Sequence, residues 1–119
     1  MNSIVNKDGE TIAYLYQNAI IDVKKEKLLG VLLGNCIFGK SKSPVGKFFN
    51  DKFRKKNGKI VAQLGKKYSR DNFPENDQHL ILEAWKSLSQ INDHICMWVD
   101  DKKEWATKKD FLTLLKEKD

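Results

Sequence analysis

Hydrophobic and polar positions recur along the first half of the chain with a spacing of 16 or 17 residues. An aliphatic residue followed by a small one stands at Ile12-Ala13, Leu29-Gly30, Val45-Gly46 and Val61-Ala62. Two positions beyond each small residue comes a large apolar one: Leu15, Leu32, Phe48 and Leu64. Nine positions before it stand Ile4, Ile21, Ile37 and Phe53. Turn-forming or polar pairs separate these columns. Within the copies they are Asp8-Gly9, Lys25-Glu26, Ser41-Lys42 and Asn57-Gly58; between copies they are Gln17-Asn18, Gly34-Asn35, Asn50-Asp51 and Lys66-Lys67. The pattern predicts eight short strands arranged as four consecutive hairpins. Asp-Gly and Asn-Gly predict type I′ turns, which need positive φ at both central residues, whereas the middle two copies require another turn type.

Strand parity of two puts the small residue and the large residue beyond it on one face, and the preceding aliphatic on the other. A small residue repeated at that position implies strands that bend or approach closely. Four such hairpins can close around a pseudo-fourfold axis, which hides strand edges that otherwise invite aggregation. An open meander of the same strands is the alternative.

The second half changes period. In the segment 77–91, Ile81, Ala84, Trp85, Leu88 and Ile91 follow helical spacing, Pro74 and Glu75 suit a first turn, and Asn92-Asp93 suits its end. The short apolar run 94–99 fits either a strand or another helical turn. Thr107 with Asp110 resembles an N-cap followed by an acid, opening a short helix with Phe111, Leu112, Leu114 and Leu115 as its apolar stripe. A helix this short is marginal alone in water, so the stripe must cover the sheet or the preceding helix. The fold class expected is therefore α+β: four tandem hairpins, barrel-like or flower-like, followed by C-terminal helices. We read one domain over 1–119, with a hairpin unit over 1–70 and a mainly helical extension over 71–119.

The units Asp8-Gly9-x-x-Ile12-Ala13-Tyr14-Leu15, Leu29-Gly30-Val31-Leu32, Val45-Gly46-Lys47-Phe48 and Asn57-Gly58-Lys59-Ile60-Val61-Ala62 resemble the bacterial four-fold beta flower domain over residues 2–67. Similar repeats occur in MORN-like hairpin arrays. The beta flower resemblance implies petals repeating about a central axis and carries no agreed catalytic residues.

Charge sharpens this division. Residues 1–70 hold 15 basic and 5 acidic side chains, residues 71–119 hold 7 and 11, and the whole chain of 119 is at +6. From Lys40 to Arg70, 11 basic residues meet a single acid, Asp51. The chain lacks a window of apolar residues long enough to span a membrane, and its start lacks the features of a secretory signal, so a cytoplasmic protein is expected. Two cysteines, Cys36 and Cys96, make no disulfide framework and are read as buried thiols.

The candidate site follows the charge. Lys47, Lys52, Arg54, Lys55, Lys56, Lys59, Lys66, Lys67 and Arg70 could hold phosphates or other anions by releasing counterions. The plainer reading is a lysine-rich solvated surface that protects strand edges or faces the acidic second half. Phe48, Phe49, Phe53 and Tyr68 interleave with these charges and could stack bases, but Phe48 and Phe53 belong to the core columns. His94 and Cys96 with Cys36 or His79 lack the paired spacing of a zinc site, and no metal or other cofactor is expected. A Cys36–His94 nucleophile pair would require an adjacency that spacing does not supply. Asp100, Asp101 and Glu104 read as solvating residues that cap the last helix, and no catalytic residues are assigned. Trp85, Trp98 and Trp105 read as core or rim residues; an exposed Trp105 would be an interface candidate.

The function expected is a small non-catalytic binding protein of bacteria or their phages, contacting another protein or a compact anionic ligand such as a nucleotide, which it could sequester. If Lys47 or Gln63 points into the central depression of a hairpin ring, that depression could hold the anion. The alternative is a nucleic-acid-binding module that uses Lys52 to Arg70 as a phosphate track.

Overall fold

The computed structural model describes residues 1–24, 26–40, 43–67, 78–91, 99, 102–106 and 111–116. Eight strands appear in chain order: β1 (Asn2–Val5), β2 (Thr11–Tyr16), β3 (Ala19–Asp22), β4 (Leu28–Leu33), β5 (Cys36–Phe38), β6 (Gly46–Phe49), β7 (Lys52–Lys55) and β8 (Ile60–Lys67). Two helices follow, α1 (Gln78–Gln90) and α2 (Phe111–Leu115). The strands form a closed antiparallel barrel, each pairing with its sequence neighbours. The open meander is thereby excluded. Closure also corrects the turn expected at Lys66-Lys67: Leu64 pairs with Ile4 and Lys67 with Asn2, so this segment is the end of β8.

The barrel interior comes from the repeated columns. Directly paired residues are Leu15 with Ile20, Leu32 with Ile37, Phe48 with Phe53, and Leu64 with Ile4. The small residues pair into the same ring, Ala13 with Ile4, Gly30 with Ile20, Gly46 with Ile37, and Ala62 with Phe53. The second copy departs from the expected column: Ile20 faces the interior where Ile21 was expected. A register shift falls between Ile20 and Ile21, but the slip comes from the loop: 22–27, between paired Ile21 and Leu28, is one residue longer than 6–10 and 55–59, so Ile20 takes the inward place opposite Gly30 and Ile21 turns to a second cluster outside the barrel. Matching shifts fall between Ile4 and Val5 and between Phe53 and Arg54. Such bulges bend the strand. The aliphatic column, of opposite parity, joins the interior cluster too: Val45 and Val61 are buried, and Ile12 and Leu29 are partly so.

The barrel ends differ. At one end the connections are two-residue turns, with positive φ at Gln17 (53°), Gly34 (60°), and both Asn50 (51°) and Asp51 (62°). Their second residues pin the next hairpin: the carbonyls of Asn18, Asn35 and Asp51 accept from the amides of Leu32, Phe48 and Leu64 at 2.9, 2.7 and 2.8 Å. The opposite end has longer loops. There the Asp8-Gly9 and Asn57-Gly58 hairpins form with positive φ at the glycine alone, and Gly9 and Gly58 donate to the carbonyls of Asn6 and Lys55. The type I′ geometry expected there is instead found at Asn50-Asp51. Side-chain oxygens brace these loops with or without a turn glycine: Asn6 Oδ1 accepts from the amides of Asp8 and Glu10, Asn57 Oδ1 from that of Lys59, and Asp22 Oδ1 from those of Glu26 and Lys27.

Helix α2 seats its expected stripe in the barrel core. Phe111, Leu114 and Leu115 are buried, and the Phe111 ring lies 4.7 Å from that of Phe53, itself 4.5 Å from Phe48. Burying such side chains contributes about 1.5–3 kcal/mol each, enough to hold a helix of one turn that would not persist alone. The Leu115 carbonyl accepts from the Lys40 amide at 2.9 Å, and a Cβ at Gly39 would collide with that same carbonyl.

Helix α1 covers the outer face of β3 and β4. Ala84 is buried, and Leu88 and Ile91 pack on Ala19, Ile21, Val31, Cys36 and Phe38. Trp85, expected in the core or at its rim, is 65% exposed, and Leu82 is 70% exposed. The expected turns and caps at 71–77, 92–94 and 107–110 and the 94–98 run lie outside the described residues; Val99 is buried. Among the described residues, no helix is long and apolar enough to cross a membrane.

Candidate anion-binding flank

Strand parity determines which basic residues reach the surface. Gly46 and Phe48 face inward on β6, so Lys47 and Phe49 face outward; on β8, Ala62 and Leu64 face inward and Gln63 outward. The expectation that Lys47 or Gln63 lines a central depression is therefore not met. The depression is also filled, because the ring of large apolar residues and α2 occupy it.

Three adjacent strands bring the basic residues together on the outside. Phe49 pairs with Lys52, Lys52 with Gln63, and Lys47 with Arg54. Lys47, Lys52, Lys55 and Lys59 are half-buried, whereas Lys56 and Lys66 are exposed. The side chain of Lys67 and the whole of Arg70 and Tyr68 lie outside the described residues.

Arg54 stands apart from this surface set. It is 2% exposed, and its Nη1 donates to the Gly58 carbonyl at 2.8 Å and to the Lys102 carbonyl. Its guanidinium carbon lies 5.0 Å from the centre of the Phe49 ring. The planar guanidinium with several fixed donors suits this buried role better than a lysine ammonium would. Arg54 thus joins the Gly58 turn to the second half of the chain, and the outer charge of this flank among the described residues is carried by lysines. Nothing in the local sequence marks this role, because Arg54 sits within an unbroken basic run.

The segment 102–106 is drawn along the start of β8. The Ile60 amide donates to the Glu104 carbonyl at 2.9 Å, and the Ala106 amide to the Ile60 carbonyl at 2.8 Å. Trp105, the interface candidate, is half-buried there and forms an isolated parallel bridge with Ile60. Lys59 Nζ stands 3.9 Å from Glu104 Oε2, which joins the two oppositely charged halves at the surface.

Cys36 is buried in β5, and His94, Cys96 and the side chain of His79 lie outside the described residues. Among the described residues, no group of three or more His, Cys, Asp or Glu side chains is placed to hold a metal ion. Comparison of the chain with family models, curated proteins and solved structures finds no match.

Proposed function

We propose that this is a non-catalytic binding protein that engages a compact anionic ligand or an acidic patch of a partner protein through the outer flank of β6–β8. The carrying observation is the lateral register that sets Lys47, Lys52 and Gln63 on the outer side of three adjacent strands, bordered by Lys55, Lys59 and Lys66. Cations spaced on a rigid sheet concentrate counterions and steer an anionic partner. The chain works as a cytoplasmic protein of bacteria or phages in this reading. The four inward pairs, Leu15–Ile20, Leu32–Ile37, Phe48–Phe53 and Leu64–Ile4, support taking the barrel as four petals about one axis, as in the beta flower domains it resembles.

Nucleic acid is the second reading. It is weaker on one point: Phe48 and Phe53 are spent inside the barrel, and the Phe49 ring is engaged by Arg54, so stacking platforms are lacking on this flank among the described residues. A salt titration separates the readings. We expect the full chain to bind polyglutamate and a nucleoside triphosphate, and the triple variant Lys47→Glu, Lys52→Glu, Lys66→Glu to lose that binding. No binding of any polyanion at low salt would refute the proposal. Much tighter binding to DNA or RNA, falling steeply with salt, would favour the second reading.

A further inference from the structure

Away from the basic flank, a cleft of about 240 Å³ opens between α1 and the first two-residue turn, lined by Tyr16, Gln17, Asn18, Ala84, Trp85 and Leu88. Among the described residues its lining contains no Asp, Glu, Lys or Arg, in a chain of which 32% is charged. One wall is Trp85, 65% exposed although an indole is among the largest apolar surfaces a protein can bury.

The turn carries a second signal. Gln17, Gly34 and Asn50 occupy equivalent first positions of the three two-residue turns, with φ of 53°, 60° and 51°. Glycine and asparagine are the residues that take this left-handed conformation readily. Gln17 is the exception, and it is the one that lines the cleft. A residue kept in an unfavourable conformation points to a use for its side chain. Here the primary amide offers two donors and an acceptor beside an indole and a phenol.

We propose that this cleft binds a neutral saccharide or similar polyhydroxylated ring. An indole face packs against the C–H face of such a ring, while Gln17, Asn18 and Tyr16 supply hydrogen bonds to its hydroxyls. The uncharged lining selects against anionic sugars. This site is independent of the basic flank, and either can fail without the other.

Calorimetric titration of the full chain with methyl β-glucoside, N-acetylglucosamine and maltose tests it, with glucose 6-phosphate and a polyproline peptide as contrasts. At least one neutral sugar should bind, and Trp85→Ala should weaken it about tenfold or more. Gln17→Gly should raise the thermal midpoint while weakening the sugar, a trade expected of a strained functional residue. The triple lysine variant should bind sugar unchanged. Silence from every neutral sugar, binding that survives Trp85→Ala, or preference for the phosphate or the peptide overturns the assignment.

Discussion

The two flanks of the barrel have the same interior and opposite exteriors. On β3–β5 the outward residues Ala19, Ile21, Val31, Cys36 and Phe38 are apolar and lie beneath α1. On β6–β8 the outward residues include Lys47, Phe49, Lys52 and Gln63, and the inward partners are again large apolar residues facing small ones. The repeat therefore specifies a wall, and each flank uses the outer side of that wall differently. One flank uses it to attach a helix, and the other presents charge. A sheet side can diverge this far because alternate residues along a strand face opposite ways and answer to separate constraints.

The largest test of this contrast exchanges charge between the flanks. Ile21→Asp places a carboxylate on a fully buried position beneath α1 and should destabilise the protein by about 4 kcal/mol or more. Lys52→Asp, at the corresponding outer side of β7, should shift stability by about 0.5 kcal/mol or less. Urea unfolding of both variants checks the pair, and similar losses would show that the fold depends on the basic flank no less than on the apolar one. Next in size is Arg54→Met. It keeps the volume but removes the donors to the Gly58 and Lys102 carbonyls, leaving one buried and one part-buried acceptor without them; a loss of about 2–3 kcal/mol is expected. Hydrogen exchange should quicken most at residues 102–106 and at the Gly58 turn, where those carbonyls lie.

Much of this was legible in the sequence, and the reasons vary. The inward columns are visible because each hairpin of this barrel sends equivalent positions inward, so Ala13, Gly30, Gly46 and Ala62 recur with their partners. The slip from Ile21 to Ile20 was not legible in the apolar pattern, since both candidates are isoleucine and only the 17-residue spacing from Ala13 to Gly30 marks the extra loop residue. Turn type was not legible at Asp8-Gly9 either, because the same dipeptide serves a longer loop with positive φ at the glycine alone. The helix α1 was plain from its period. The exposure of Trp85 was available to a stricter reading, because Ala84, Leu88 and Ile91 define the buried stripe and Trp85 lies about 100° around from Ala84. On the candidate site, composition located the basic flank but could not separate Arg54 from the lysines around it. That distinction depends on Lys102, distant in sequence and close in space.

The smallest prediction decides whether the charge split holds the fold together. Lys59 and Glu104 meet at 3.9 Å, with side chains 34% and 73% exposed, so water and salt screen the attraction. Ordering two long side chains costs entropy that offsets most of what remains. Glu104→Gln should therefore cost about 0.5 kcal/mol or less, and that difference should fade as salt rises. The measurement is a thermal melt of both proteins at low and high salt. A large, salt-sensitive loss would mean that the basic flank is answered within the chain by the acidic second half. A negligible one would mean that this contact does not neutralise the flank, since the backbone bonds of Ile60 with Glu104 and Ala106 hold the segment in place without that charge.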